Sequence, residues 1–241
     1  MTPFVAELLG TMILILLGGG VNANVSLDKT NGKDSGWLVI TIGWGMAVFS
    51  GVFVASSGSA AHLNPAVTIG FAVAQTFDWA LVPIYLAGQF LGAALGAFLV
   101  WFHYKDHYAE TADGPTKLGT FSTAPAIRNT FSNLVGEIIG TFMLVFGCFY
   151  IAGATVGTES ASLGALDGLP VALLVLAIGL SLGGNTGYAI NPARDLSPRI
   201  MHAILPIPRK GDSDWGYSWI PVVGPILGGI LAALVFLGLS A

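Results

Sequence analysis

Long apolar blocks alternate with short polar segments along this chain of 241 residues. A membrane-spanning helix needs about 20 mostly apolar residues, and six blocks qualify: 3–21, 37–56, 80–102, 131–152, 168–184 and 217–239. The polar segments between them include 22–36, rich in Asn, Asp and Lys, 103–130, with His, Asp, Glu and Lys, and 203–216, with "PIPRKGDSDWG". None is long enough for a domain of its own. The pattern predicts one all-α membrane domain over residues 1–241 with six transmembrane helices.

Two further apolar stretches, 65–75 and 192–202, are too short to span. At about 1.5 Å per residue each makes a half-helix of roughly 15 Å. Two of them entering from opposite faces cover a hydrocarbon core of about 30 Å. They are therefore expected to be re-entrant and to meet near the midplane.

The chain also repeats itself. "AELLGTMILILL" (Ala6–Leu17) aligns with "GEIIGTFMLVFG" (Gly136–Gly147), which places Glu7 on Glu137, Gly10 on Gly140 and Thr11 on Thr141. "HLNPAVTIG" and "AINPARDLS" align Asn64 with Asn191. Each half, approximately 1–102 and 131–241 joined by a 103–130 loop, holds three spans and one half-helix. An odd number of spans inverts the second half. Inverted repeats with interrupted hydrophobic segments at matching positions point to a pathway at the repeat interface.

Each Asn-Pro-Ala reads as a helix start, because Asn is a strong N-cap and Pro suits the first helical position. The loose stretches before them, "SSGSAAHL" and "GGNTGYAI", cannot face lipid, since their backbone groups would be unsatisfied there. Lining a wet cavity, their carbonyls supply acceptors, and the amides of Asn64 and Asn191 supply donors facing them. Two half-helix N-termini put positive potential at the midplane. A small neutral molecule with hydroxyls can exchange its water for that lining; a cation or proton meets a repulsive centre.

Composition agrees with a membrane protein: 54% hydrophobic residues, 33 glycines and 9% charged residues, against roughly 25% charged in an average soluble domain. A net charge of −4 without a Lys/Arg cluster gives no reason to expect nucleic acid. The lone Cys148 excludes a disulfide framework and reads as a packing residue. "MTPFVAELLG" has no basic n-region or cleavage site and reads as mature sequence. No metal-ligand spacing, nucleophile–base set or phosphate loop is present, so neither metal, cofactor nor enzymatic activity is expected. Gly18–Gly20 is read as the end of a span. Gly88, Gly92 and Gly96 read as a helix-packing surface.

The doubled motif (Asn64, Pro65, Ala66 and Asn191, Pro192, Ala193), the six spans and the inverted halves resemble the aquaporin, or major intrinsic protein, family. "NPAR" followed by Asp195 resembles its glycerol-facilitator (aquaglyceroporin) branch. The resemblance implies a four-residue selectivity filter at Trp44, Gly179, Tyr188 and Arg194. Trp44 and Gly179 match the glycerol branch, Arg194 matches the family arginine, and Tyr188 departs from the Phe of the best-known glycerol facilitators. It also implies a homotetramer with one pore per subunit, in the plasma membrane with both termini cytoplasmic.

The chemistry of these residues fits such a role. An Arg inside a membrane protein normally faces a cavity, and Arg194 there would donate to hydroxyls while Trp44 and Tyr188 wall the carbon side of a polyol. Gly179 is expected to leave width for a three-carbon molecule. Trp37, Trp79, Trp101, Trp215 and Trp219 lie near span ends, as an interfacial belt does. Asp195, Arg199, Pro221 and Val222, also shared with the branch, read as structural. Glu7 and Glu137 read as acceptors for the backbone of the re-entrant loops, with His62 as a further support of the first loop. Against the implied orientation, all nine Lys and Arg residues follow the first, third and fifth spans, where the charge rule predicts cytoplasm.

The expected function is a passive channel for glycerol and other small uncharged solutes, including water, further polyols and small protonated acids. Two alternatives stay open: a mainly water-selective aquaporin, and a proton-coupled secondary transporter using Glu7 and Glu137.

Overall fold

The computed structural model describes residues 1–152, 155–156, 159–160, 163 and 166–240. Ten α-helices appear among them: α1 (Pro3–Ser26), α2 (Trp37–Ala55), α3 (Pro65–Val73), α4 (Val82–His103), α5 (Lys105–Glu110), α6 (Gly114–Gly119), α7 (Thr130–Ala152), α8 (Leu169–Leu182), α9 (Pro192–Ile204) and α10 (Ile220–Ser240). A 3₁₀ turn, Trp79–Leu81, leads into α4. The end of the expected 1–241 range, Ala241, lies outside the described residues, as does much of the segment between α7 and α8.

Five of the six expected spans are helices long and apolar enough to cross a bilayer. The sixth, α8, is shorter than its expected 168–184, with 14 residues between Gly168 and Gly183. Other expectations shift as well. The helix α1 runs on to Ser26, so Gly18–Gly20 lies inside it and ends nothing. Two short helices, α5 and α6, occupy the 103–130 loop. The all-helical architecture carries one small addition, a two-residue antiparallel pair of Thr155–Val156 with Glu159–Ser160.

Packing follows the repeat. Within the halves α1 lies on α4 and α7 on α10; between them α2 meets α8, α3 meets α10 and α4 meets α9. The first contact is close because Gly92 carries no side chain: a Cβ there would stand 2.2 Å from the carbonyl oxygen of Leu8. Gly228 repeats this against Ile138, at 2.4 Å. With little hydrophobic drive between helices in lipid, such backbone approaches supply the packing. The outer faces stay apolar and exposed, for example Phe53, Leu91, Phe102, Leu173 and Leu234, a surface that only a bilayer or further protein covers. Four of the five belt tryptophans are exposed, but Trp101 is buried in the core cluster, because its side of α4 turns inward.

An even number of crossings returns the two termini to one face. A Cβ on Gly58, after α2, would touch Met1 at 2.8 Å, which fixes that face locally.

Candidate functional site

Each half-helix starts as its sequence dictates. Asn64 caps α3, accepting from Ala66 N at 2.9 Å, and Asn191 caps α9, accepting from Ala193 N at 3.0 Å and Arg194 N at 3.1 Å. Pro65 and Pro192 occupy the first helical positions, where no N–H is missed. The Asn64 amide donates to the Ile190 carbonyl at 2.8 Å, and the Asn191 amide donates to the Leu63 carbonyl at 2.9 Å. The two N-termini are thus tied head to head by a reciprocal pair. Each amide nitrogen carries two hydrogens, so one per Asn remains for another acceptor. With 9 and 13 residues, the two half-helices together extend roughly 33 Å.

The loops leading into the caps have unusual backbones. Ala61 and Leu63 have φ of 53° and 52°, and Tyr188 and Ile190 have φ of 39° and 42°. These are equivalent positions of the two halves, each 127 residues apart. Every second residue is left-handed, a conformation that costs a non-glycine residue about 1–3 kcal/mol. Among the described residues no donor reaches the carbonyls of Ala60, Ala61 and His62, or of Gly187, Tyr188 and Ala189. Only bonded partners can hold such a backbone, and two buried carboxylates provide them. Glu7 accepts from His62 N at 3.0 Å, Leu63 N at 2.8 Å, the Ser59 hydroxyl at 2.7 Å and the Gln89 amide at 2.8 Å. Glu137 accepts from Ala189 N at 3.0 Å and Ile190 N at 2.8 Å, and its side chain bonds Thr186. Apart from Gln89, the partners are repeat equivalents. Both acids are fully buried.

A cavity of about 850 Å³ opens on the face that carries the termini and ends at Asn64 and Asn191. Leu14, Val48, Leu144 and Val175 give it a largely apolar wall, with polar groups from His62, Thr76 and Asp167. Cys148 lies on its wall, otherwise buried in the core cluster.

Trp44, Gly179, Tyr188 and Arg194 come together on the other side of the Asn pair. The Arg194 guanidinium lies over the Trp44 ring at 4.2 Å and donates to the Phe121 carbonyl at 3.3 Å. The Trp44 indole donates to Asn22 at 3.1 Å and presses against Gly18, where a Cβ would stand 2.5 Å from the ring. The expectation that Gly179 leaves open width is corrected. The Tyr188 ring fills that space, with Cζ 2.8 Å from where a Gly179 Cβ would stand. Trp37 completes the wall, edge-on to Tyr188 at 5.7 Å and donating to the Gly179 carbonyl at 3.1 Å. Its place at a span end makes Trp37 an expected interfacial anchor, while its spacing two helical turns before Trp44 points to the wall. Trp44, Tyr188 and Arg194 are 5%, 7% and 6% exposed, so any opening between them is narrow.

Asp195 and Arg199 sit behind this group. The Asp195 carboxylate accepts from Thr123 N and Oγ1, both at 2.7 Å, and from Arg199 Nε and Nη2 at 3.0 and 2.8 Å. Arg199 also donates to the carbonyls of Thr123 and Ser213. This fully buried pair pins the loops around the start of α9 and touches neither Asn nor the Trp44 ring.

This geometry has relatives. A family model, "Major intrinsic protein", matches residues 1–236. The chain belongs to the major intrinsic protein family. It is 55% identical over 240 residues to a glycerol uptake facilitator protein of Streptococcus pneumoniae, covering 98% of each chain. A probable glycerol uptake facilitator protein of Thermotoga maritima is 54% identical over 236 residues, again with 98% of each covered. Among solved structures, the aquaglyceroporin of Plasmodium falciparum superimposes with a TM-score of 0.84 at 32% identity, over 97% of this chain and 93% of that one. The chain is an integral, multi-pass membrane protein with the aquaporin fold.

Proposed function

We propose that this protein is a passive channel of the plasma membrane that lets glycerol and other small uncharged solutes, water among them, cross down their gradients. The observation that carries this reading is the pair of unbonded carbonyl rows converging on two Asn amides tied head to head. Along such a line a polyol exchanges its water hydrogen bonds one at a time, while its carbons slide on the apolar wall opposite. Two half-helix N-termini oppose cations at the centre. Asn64 and Asn191 are the central donors; Trp44, Gly179, Tyr188 and Arg194 form the selectivity filter. Glu7 and Glu137 hold the loops, and all their oxygens are committed to loop and helix donors, which argues against a coupling role in proton transport. The single channel domain consists of two inverted repeats. A homotetramer with one pore per subunit follows from the family resemblance.

Orientation is proposed with the termini in the cytoplasm. The charge rule objects less than the count suggests, because the basic side chains of the opposite face other than Lys105 are already engaged. Lys210 donates to the carbonyls of Ala203 in the last turn of α9 and of Leu205, its C-cap, Arg209 donates to Ala109 at the end of α5, and Lys33 donates to Ser26 at the end of α1. Lys29 pairs with Glu110, Arg128 with Asp214 and Arg199 with Asp195; Lys117 bonds the Pro208 carbonyl. These cations complement helix C-termini and local acids.

Osmotic light scattering on reconstituted vesicles tests the channel. Wild-type vesicles should re-swell in a glycerol gradient far faster than empty ones. The variant R194A should lose discrimination among solutes and leak cations. An unchanged profile in R194A would remove Arg194 from the filter.

A further inference from the structure

The Trp44 ring is anchored from α1. Asn22 stands one helical turn after Gly18 on that helix, and residues four apart share a helix face. That face receives the ring: Gly18 gives it room, since a Cβ there would stand 2.5 Å from the ring atoms, and Asn22 Oδ1 accepts the indole N–H at 3.1 Å. The repeat equivalent of Asn22 is Ala152, so the scaffold common to both halves does not call for an amide here. Asn22 is an addition of the first half alone, placed where the buried Trp44 needs a partner for its N–H.

Donor and acceptor chemistry fixes the sense of this anchor. An indole N–H only donates, so Asn22 turns its carbonyl oxygen to it. Its amide nitrogen then faces the Gly119 carbonyl, an acceptor only, at 3.2 Å. Two residues further on, the Phe121 carbonyl accepts from Arg194 Nη1 at 3.3 Å, and the guanidinium lies over the Trp44 ring at 4.2 Å. The contacts close a circuit: Trp44 to Asn22, Asn22 to Gly119, Phe121 to Arg194, and Arg194 back to Trp44. The stretch that carries two of them is itself pinned. The fully buried Tyr108 places its hydroxyl 2.5 Å from Thr120 Oγ1, which donates to the Lys117 carbonyl at 2.8 Å.

We propose that Asn22 is a positioning residue of the selectivity filter: by capturing the Trp44 indole N–H it clamps the ring against the Arg194 guanidinium and so sets the passage for a polyol. Two consequences follow from the geometry. The ring cannot swing about its side-chain bonds into the path, so the width beside Arg194 stays constant. The indole hydrogen is also withdrawn from passing solutes, so Trp44 offers them carbon only. Without Asn22 the N–H is left unpaired and the ring is free to turn. A three-carbon solute then loses more than water does, because it fills more of the opening.

This role rests on the proposed channel function, and two measurements keep them apart. Protein carrying ¹⁵N in its tryptophan indoles, in detergent, gives one N–H signal per tryptophan, and W44F identifies that of Trp44. In the wild type this hydrogen should exchange with solvent more slowly than that of the exposed Trp79. In N22L its signal should move upfield while those of Trp79, Trp101, Trp215 and Trp219 stay. Exchange as fast as Trp79 in the wild type, or an unmoved Trp44 signal in N22L, overturns the anchor. In vesicles, the ratio of glycerol to water permeability should fall roughly two- to tenfold in N22L, the worth of one hydrogen bond. Added to W44F, which has no N–H to anchor, N22L should change the ratio by less than about twofold, since coupled residues are not additive. A wild-type ratio in N22L overturns the positioning role, and an equal fall in both backgrounds overturns its action through Trp44. Wild-type vesicles that conduct water and no glycerol contradict the channel function and the filter role with it, while the indole signal still reports the anchor.

Discussion

Gly179 and Tyr188 form one unit, and this is the residue-scale lesson of the filter. A methyl group on Gly179 would lie 2.8 Å from the Tyr188 ring and 3.1 Å from Thr41, so the ring has to move off the α8 backbone. The variant G179A should cut glycerol permeability several-fold and water permeability less, measured on the same vesicles; equal losses would contradict this arrangement. The residues of the proposed filter, Trp44, Gly179, Tyr188 and Arg194, were legible only through the family resemblance, which fixes their places relative to the two motifs. Their contacts were not. Nothing in the order of residues says that an aromatic ring from a loop would occupy the volume a glycine vacates on a helix. Nor could spacing reveal that Trp37 closes the same wall, since its position at a span end fits a lipid-interface anchor equally well.

At the scale of elements, the re-entrant loops carry the most strain and the most dedicated support. Four left-handed residues in the two loops are held through one carboxylate each. In E137Q the amide keeps one acceptor and turns a donor toward a backbone N–H, leaving that N–H buried and unpaired. The loss should be about 1–3 kcal/mol, read as a lower thermal midpoint in detergent, with passive glycerol flux reduced but insensitive to a pH gradient. A proton-coupled transporter would instead lose all gradient-driven uptake. Helix packing offers a second test. G92A brings a methyl group to 2.2 Å from the Leu8 carbonyl oxygen, and no side-chain rotation relieves a clash with backbone. Destabilisation of roughly 1–3 kcal/mol is expected, and a melting temperature equal to wild type would contradict the packing of α1 on α4. Helix positions and the two half-helices followed from hydropathy and from Asn-Pro starts. The 14-residue α8 did not, because apolar residues continue through the turn at Gly183 and Gly184. The full length of α1 was hidden for a similar reason: Asn22 and Asn24 look like a loop, yet Asn22 is used by Trp44 and Asn24 by Gly32.

For the whole molecule, symmetry organises the barrier and its breaking organises selection. The repeat was visible in sequence, and so was its inversion, because an odd span count per half admits no other arrangement. Orientation was obscured: cations that bond helix C-termini and buried carboxylates were counted alongside free ones. Lys105 is the one basic side chain for which no partner is seen among the described residues, so it marks its face cleanly. In K105C, a membrane-impermeant maleimide should label intact cells from outside; labelling only after permeabilisation would invert the proposed orientation. The central claim is that flux is passive and needs no coupling ion. Its most direct test is the initial rate of glycerol entry into reconstituted vesicles, followed over a wide concentration range with and without an imposed pH gradient. The account predicts a rate proportional to the glycerol gradient and unchanged by the proton gradient. A rate that saturates at low glycerol and follows the proton gradient would contradict it.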